Sequence, residues 1–223
     1  MSGQGSADMS FRNTDFIADS TFGSYGYGGA VSTVNVPEVE FIECVFDTNV
    51  TIAGAAAGGA IFISGVGEAL VERCVFTRNE AYYDNGGAIW AGDGVKIKVV
   101  HSEFTRNRAD RGGGIYTIRY GTVATVDFCT FADNFVDHDG GGIRISDYSE
   151  LRLSSSILAS NYAGLNQQDI YNHLAAPVNV SIDHSLLFVN ATWLNLGDGN
   201  VTEIDPLFVD RENGDYRLLV GSP

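Results

Sequence analysis

Basic residues are scarce in this sequence: 13 Lys and Arg stand against 28 Asp and Glu, which leaves a net charge of −15. Nucleic-acid binding needs clustered cations to neutralise phosphates, so no nucleic-acid partner is expected. No apolar run approaches the ~18 residues of a membrane-spanning helix, so no membrane insertion is expected either. The opening MSGQGSADMS lacks the basic and apolar regions of a signal peptide.

Cysteine is also rare, with three residues, an odd number, and no Cys-x-x-Cys spacing. This excludes a disulfide framework and the common zinc motifs. Cys44, Cys74 and Cys129 occupy the same position of a repeat in which other copies carry Ser or Thr. They are therefore expected to be small, buried side chains that remain reduced.

What the sequence does contain is that repeat, built on Phe-x-x-Asn and recurring every 27 to 30 residues. Its first position is filled by Phe16, Phe46, Phe76, Phe104, Phe131, Leu158 and Leu187. Short β-branched and aromatic runs lie between turn residues, and a fixed period of this length indicates stacked supersecondary units. The pattern predicts an all-β solenoid, a single-stranded parallel β-helix of about seven coils with three strands in each.

The Asn of the motif has a predicted structural role. A ladder is expected from Asn49, Asn79, Asn107, Asn134, Asn161 and Asn190. Asn tolerates the left-handed backbone that a sharp corner needs, and its amide can bond to the amide of the next coil. Gly pairs such as Gly86-Gly87 are expected to allow positive φ and close chain approach before an inward Ile.

Two regions are expected: a β-helix over 1–196 and a capping segment over 197–223, in a chain truncated from a longer protein. Open coil ends are unpaired sheet edges that need a cap or a neighbouring molecule. Leu207 and Phe208 are predicted to plug the core of the last coil. The N-terminal end shows no comparable cap, so self-association through the β-helix ends is predicted.

The pairing of Gly58-Gly59-Ala60-Ile61 with Phe76-x-x-Asn79 resembles the repeats of chlamydial polymorphic outer membrane proteins. It is also similar to secreted bacterial proteins of the pectin-lyase-like superfamily, and the tail IDPLFVDRENGDYRLLVGSP (204–223) resembles the end of their coil arrays. The resemblance implies a right-handed β-helix and an extracellular or cell-surface location. It says little about activity, because fold does not fix function.

One exposed face is the predicted ligand-binding site. When the repeats are aligned on the inward Ile, acidic residues fall in a strip beside a column of outward aromatic and cationic residues. The face consists of Asp84, Asp110, Asp137, His138, Asp139, Trp90, Tyr116 and Arg144. Sugars stack on aromatic rings, and carboxylates bind hydroxyls or calcium. No cofactor is required, and calcium, if it binds, would use Asp84, Asp110, Asp137 and Asp139.

The sequence favours a non-catalytic extracellular module, a rigid structural or adhesive β-helix whose partner is a polysaccharide or cell-surface glycan. The regular period leaves no long loops to build a catalytic groove. The alternative is a polysaccharide lyase or glycoside hydrolase that uses Asp137, Asp139 and Arg144.

Overall fold

Each sequence repeat folds into four short strands around one coil, and equivalent strands of successive coils pair in parallel. The computed structural model describes residues 8–23, 26–53, 57–173, 180–188 and 196–223. Within them, six coils place a strand in each of four sheets, and a seventh adds strands to two sheets. The predicted parallel β-helix is confirmed, but the expectation of three strands per coil is wrong.

The four sheets are named A to D in the order in which a coil visits them. Sheet A contains β1 (Met9–Arg12), β5 (Glu38–Ile42), β9 (Glu68–Glu72), β13 (Lys96–Val100), β17 (Val123–Asp127), β21 (Glu150–Ser154) and β26 (Val180–Asp183). Sheet B contains β2 (Asp15–Ile17), β6 (Val45–Asp47), β10 (Val75–Thr77), β14 (Glu103–Thr105), β18 (Thr130–Ala132), β22 (Ile157–Ala159), β27 (Leu186–Leu187) and β28 (Val201–Thr202). Sheet C contains β3 (Ser20–Gly23), β7 (Val50–Ala53), β11 (Glu80–Tyr82), β15 (Arg108–Arg111), β19 (Phe135–Asp139), β23 (Tyr162–Ala163) and the antiparallel β24 (Asn166–Gln167). Sheet D contains β4 (Val31–Val34), β8 (Ile61–Ser64), β12 (Ile89–Gly92), β16 (Ile115–Ile118), β20 (Ile143–Ile145) and β25 (Ile170–Asn172).

The core is filled by like residues stacked from coil to coil, because the strands pair in register. The rings of Phe16, Phe46, Phe76, Phe104 and Phe131 stack nearly parallel, with centroids 4.5 to 4.7 Å apart. This separation equals the spacing of paired strands. Each buried Phe contributes roughly 2–3 kcal/mol of hydrophobic stabilisation.

The asparagine ladder is confirmed for the five predicted members within the described residues. Asn49 Nδ2 donates to Asn79 Oδ1 at 2.9 Å, and the same bond links Asn79 to Asn107 at 2.9 Å. It continues to Asn134 and Asn161, which are fully buried. The sixth predicted member, Asn190, lies outside the described residues.

The ladder Asn was predicted to adopt the left-handed backbone at each corner, and this prediction is wrong. The residue before the Asn adopts it instead. Values of φ between 54° and 58° occur at Ala18, Thr48, Arg78, Arg106, Asp133 and Ser160. The Asn that follows is free to turn its amide inward and bond along the helix axis. The Gly pairs behave as predicted, since Gly86 has φ 75° and a Cβ on Gly87 would lie 2.3 Å from Gly113 O.

The cysteines are buried and free, as predicted. Their column forms a second inward ladder, in which Cys74 N donates to Ser102 Oγ at 3.1 Å and Cys129 N donates to Ser156 Oγ at 3.1 Å. Burial raises the pKa of the Cys74 and Cys129 thiols to about 12. These thiols therefore act as small packing groups.

The C-terminal segment lies on the outside of the coils. After β28, the chain forms a hairpin of β29 (Phe208–Asp210) and β30 (Asp215–Leu218), joined by a 3-10 turn, Arg211–Asn213. Arg211 and the Tyr216 hydroxyl both bind the Asp133 carboxylate at a corner of the fifth coil. Leu207 is 38% exposed, so the prediction that Leu207 and Phe208 plug the core is wrong. No helix among the described residues is long and apolar enough to cross a membrane.

Candidate functional site

The structure brings the predicted acidic residues together where sheet C meets sheet D. A register shift in β15 and β19 places Arg111 opposite Asp139, and Asn85 lies beside Arg111 in the same column. The adjacent column contains Asp84 and Asp110, joined by a backbone bond of 2.7 Å. His138 enters that column, because its Nδ1 lies 2.6 Å from Asp110 Oδ1.

Three carboxylates of this corner, those of Asp110, Asp137 and Asp139, lie close to arginines of the chain. Arg111 binds Asp110 at 2.7 Å and lies 3.6 Å from Asp139. Arg108 lies 3.7 Å from Asp137. The negative charge of Asp110, Asp137 and Asp139 is therefore partly offset by arginines of the chain itself.

At this corner, the Asp84 carboxylate lies in an environment that disfavours its charge. Burial raises its pKa, and the neighbouring Asp110 carboxylate raises it further, while the Asn85 backbone N–H acts in the opposite direction. The carboxamide oxygen of Asn85 is buried and accepts no hydrogen bond from the described residues. Two acceptor groups therefore lie side by side at this corner, with spare capacity for a donor.

Arg144 is held from every side. Its side chain is 6% exposed, and its Nε donates to Asp139 Oδ1 at 3.2 Å while Nη1 donates to the Tyr116 hydroxyl at 3.1 Å. The guanidinium lies over the Tyr116 ring at 5.2 Å and over the Tyr171 ring at 5.6 Å. A cation fixed in this way has no free face with which to neutralise a substrate carboxylate.

The outward aromatic column of sheet D is buried, although exposure was predicted. Phe62, Trp90 and Tyr116 retain 6%, 8% and 4% of their accessible surface. The ring centroids of Phe62 and Trp90 lie 4.5 Å apart with a 16° interplanar angle, and Tyr27 covers the other face of Phe62 at 4.5 Å. Because the rings cover one another, mainly their edges remain for a ligand.

A groove of about 440 Å³ runs along this aromatic column. Its floor is formed by Phe62, Trp90 and Tyr116. One rim carries Asp84 and Asn85, and the other carries Ser64, Asp93 and Arg119. Asp93 accepts a hydrogen bond from Ser64 at 2.6 Å and pairs with Arg119. A mostly apolar floor with a few polar rim groups is typical of a small ligand site.

No group of three or more His, Cys, Asp or Glu residues converges into a metal-binding geometry within the described parts of the chain. The predicted calcium ligands Asp84, Asp110, Asp137 and Asp139 instead spread over three coils. Asp139 points to Arg111 and Arg144, and Asp110 points to Arg111 and His138.

Several residues of the site were missed by the sequence reasoning. Arg111 and Asn85 stand four residues before the inward Ile, at the position of Asp139, so a residue-by-residue alignment would have found them. Asp169 had no such signal, because it precedes Ile170 in a coil without a Gly pair. It ends the asparagine ladder, accepting Asn161 Nδ2 at 2.8 Å and Phe188 N at 2.7 Å.

Comparison with known proteins addresses the fold. Neither a search of curated proteins nor a search of solved structures found a match. The family model described as right handed beta helix region matches residues 31–202, which is most of the chain and runs from β4, the last strand of the first coil, to β28. With that match and the coil geometry, the chain belongs to the right-handed β-helix family.

Proposed function

We propose that this protein is a non-catalytic, rigid surface module that binds a glycan in the groove of sheet D. The groove itself carries the proposal: a volume of about 440 Å³ above an apolar floor, with acceptors on its rims. Sugar hydroxyls are donors, and they match the acceptor capacity of the Asp84 carboxylate on the rim. The stacked ring edges provide apolar contact below them.

The rigidity of the module follows from its construction. Core stacking and the asparagine ladder tie each coil to the next, and such solenoids present long regular surfaces. The charge of −15 and the resemblance of the repeats to secreted bacterial proteins support an extracellular or cell-surface location. In this setting the groove is one site on a spacer, and contacts through the coil ends would lengthen the assembly.

The first coil supports the proposed end-to-end contact. Its strands β1, β2 and β3 lie at the edge of three sheets, and within the described residues each pairs on one side. Ile17 is 57% exposed and Phe22 is 68% exposed at this edge. An unpaired sheet edge with apolar side chains is a template for another chain.

The enzyme alternative is favoured by one observation. His138 Nδ1 lies 2.6 Å from Asp110 Oδ1, and the His138 side chain is 57% exposed. An Asp–His pair with a free Nε2 can act as a general base. The residues predicted for catalysis, Asp137, Asp139 and Arg144, are instead held in ion pairs. A lyase or hydrolase on this face would therefore depend on His138.

The test is affinity electrophoresis against neutral and uronic-acid polysaccharides, with and without calcium, together with a chain-length assay. Retention is expected on at least one polysaccharide, with chain length unchanged. Ser64→Tyr fills the groove and should weaken retention at least tenfold, whereas Ser181→Tyr, on the outer face of sheet A, should not change it. Equal retention of both variants would place binding elsewhere.

The same assay decides the alternative. Shortened chains, lost in His138→Ala and kept in Ser181→Tyr, would make the protein an enzyme. Retention that requires calcium and is lost in Asp110→Asn would instead assign a calcium site to the acidic corner. No retention on any polysaccharide would overturn glycan binding and leave a structural module.

A further inference from the structure

The outer face of sheet A, remote from the groove of sheet D, carries an unusual charge distribution. The sequence contains two lysines, Lys96 and Lys98, in a protein whose net charge is −15. Both point outward from β13 and are exposed. Neither forms an ion pair or a side-chain hydrogen bond within the part of the chain that the structure describes. The two lysine side chains are thus adjacent and without an ion pair.

Unpaired acids lie on the same face, on the preceding coils. Glu38 of the second coil and Glu68 of the third stand in the column of Lys96, and both are exposed. Neither belongs to an ion pair among the described residues. On the same face Glu40 pairs with Arg12 and Glu150 with Arg152, and Asp127 of the fifth coil accepts a hydrogen bond from Ser154. On either side of the boundary between the third and fourth coils, the charges without an ion pair are therefore negative on the third coil and positive on the fourth.

Such a face is complementary to itself in one orientation. Two copies packed with their helix axes parallel would place lysine against lysine, which is unfavourable. In the antiparallel arrangement, a two-fold axis along the strands and between the third and fourth coils places Lys96 of each copy opposite Glu68 of the other. An interface of this kind uses the same patch on both copies.

The neutral residues of the face fit the same arrangement. Under the same two-fold axis, Lys98 lies opposite Leu70, which can pack against the aliphatic stem of the lysine. Val123 lies opposite Glu38, and neither side presents a bulky group there. The face also contains a shallow trough of about 560 Å³ between Glu38 and Arg152, which leaves room for an opposing side chain.

We propose that the protein pairs with a second copy of itself through the outer face of sheet A, with the two helices antiparallel and Lys96 and Lys98 against the acidic coils. The size of the face limits the strength of this contact. Five-residue strands over the four coils that this axis brings together give roughly 300 Å² on each copy, less than half of what stable complexes bury. The pair is weak and depends on salt.

The test is sedimentation velocity over a concentration series at roughly 0.02 M and 0.5 M salt. Wild-type protein should form a dimer at low salt and dissociate at high salt. Lys96→Glu/Lys98→Glu and Glu38→Lys/Glu68→Lys should each weaken the dimer at least tenfold. An equimolar mixture of the two variants should restore it, because each restores the partner of the other.

A control separates this interface from net charge. Arg78→Glu/Arg217→Glu carries the same change of charge as the double-lysine variant, but at exposed sites away from sheet A. It should dimerise like the wild type within twofold. A monomer at every concentration, or a dimer unaffected by the lysine variant, overturns the proposal. Binding of a polyanion through the lysines without any dimer also overturns it.

Discussion

Asn107 offers the most direct test of how the coils are held together. Its side chain is fully buried and makes four hydrogen bonds between coils. Oδ1 accepts from Asn79 N at 3.0 Å and Asn79 Nδ2 at 2.9 Å, while Nδ2 donates to Phe76 O and Asn134 Oδ1 at 3.0 Å. Asn107→Ala removes all four at once.

The partners of Asn107 differ in whether they keep another hydrogen bond after the substitution. Asn79 Nδ2 keeps its bond to Phe46 O, and Asn134 Oδ1 keeps the Asn107 backbone N–H. The Asn79 backbone N–H has no such substitute and is left buried without an acceptor. An orphaned buried donor costs about 1–3 kcal/mol, and the cavity left by the amide adds about 1–2 kcal/mol. The expected loss is therefore roughly 2–5 kcal/mol.

The assay is urea unfolding followed by far-UV circular dichroism. Asn166→Ala makes the same truncation at an exposed position of β24 and should cost less than about 0.5 kcal/mol. A variant that stays folded with a loss below about 1 kcal/mol at Asn107 would refute the reasoning. It would mean that the stacked Phe rings, and not the side-chain amide ladder, provide most of the side-chain stabilisation between neighbouring coils.

Four further predictions follow from buried groups, corners and the tail. Burial raises the pKa of Asp169 to about 7, well above its unfolded value of ~3.9, so stability should fall by up to about 4 kcal/mol between about pH 4 and pH 7 and then level off. Asp169→Asn should remove that fall, as urea midpoints at the two ends of this range would show. The thiols of Cys74 and Cys129, with pKa raised to about 12, should not react with a disulfide reagent until guanidinium unfolds the chain. Ser155 has φ 48°, so Ser155→Gly should raise stability by about 0.5 kcal/mol, detected as a higher melting temperature. Asp133→Ala releases the C-terminal hairpin and should speed its cleavage in limited proteolysis without changing the circular dichroism of the coils.

The candidate site was only partly predictable from sequence. Asp84, Asp110 and Asp139 were placed on the correct corner, because their distance from the inward Ile fixes their position on the coil. Their partners were not foreseen: Arg111 occupies the position of Asp139 in the preceding coil, but which neighbouring carboxylates it reaches depends on its side-chain conformation. The burial of Trp90 was missed because it depends on neighbouring rings from other coils.

The corners show the same division. The Phe-x-x-Asn spacing located each corner, but not which residue adopts the left-handed backbone. Arg78 adopts it with φ 54°, and its side chain reaches Asp47 of the preceding coil. A short polar residue was expected there on conformational grounds. The geometry of the coil overrides this local preference, because the inward Asn that follows gains its ladder bonds only from this corner.

The sequence by itself determined the β-helix, its period and its ladder, because a residue repeated every 27 to 30 positions must meet its own copies on paired strands. The tertiary structure alone decided which charges pair, which aromatic side chains are buried and where the hairpin lies. Those properties depend on contacts between residues of different type, and such contacts produce no repeating pattern in the sequence. Asp133 illustrates the difference: its place at a corner follows from the repeat, whereas its bond to Tyr216 follows from the path of the tail.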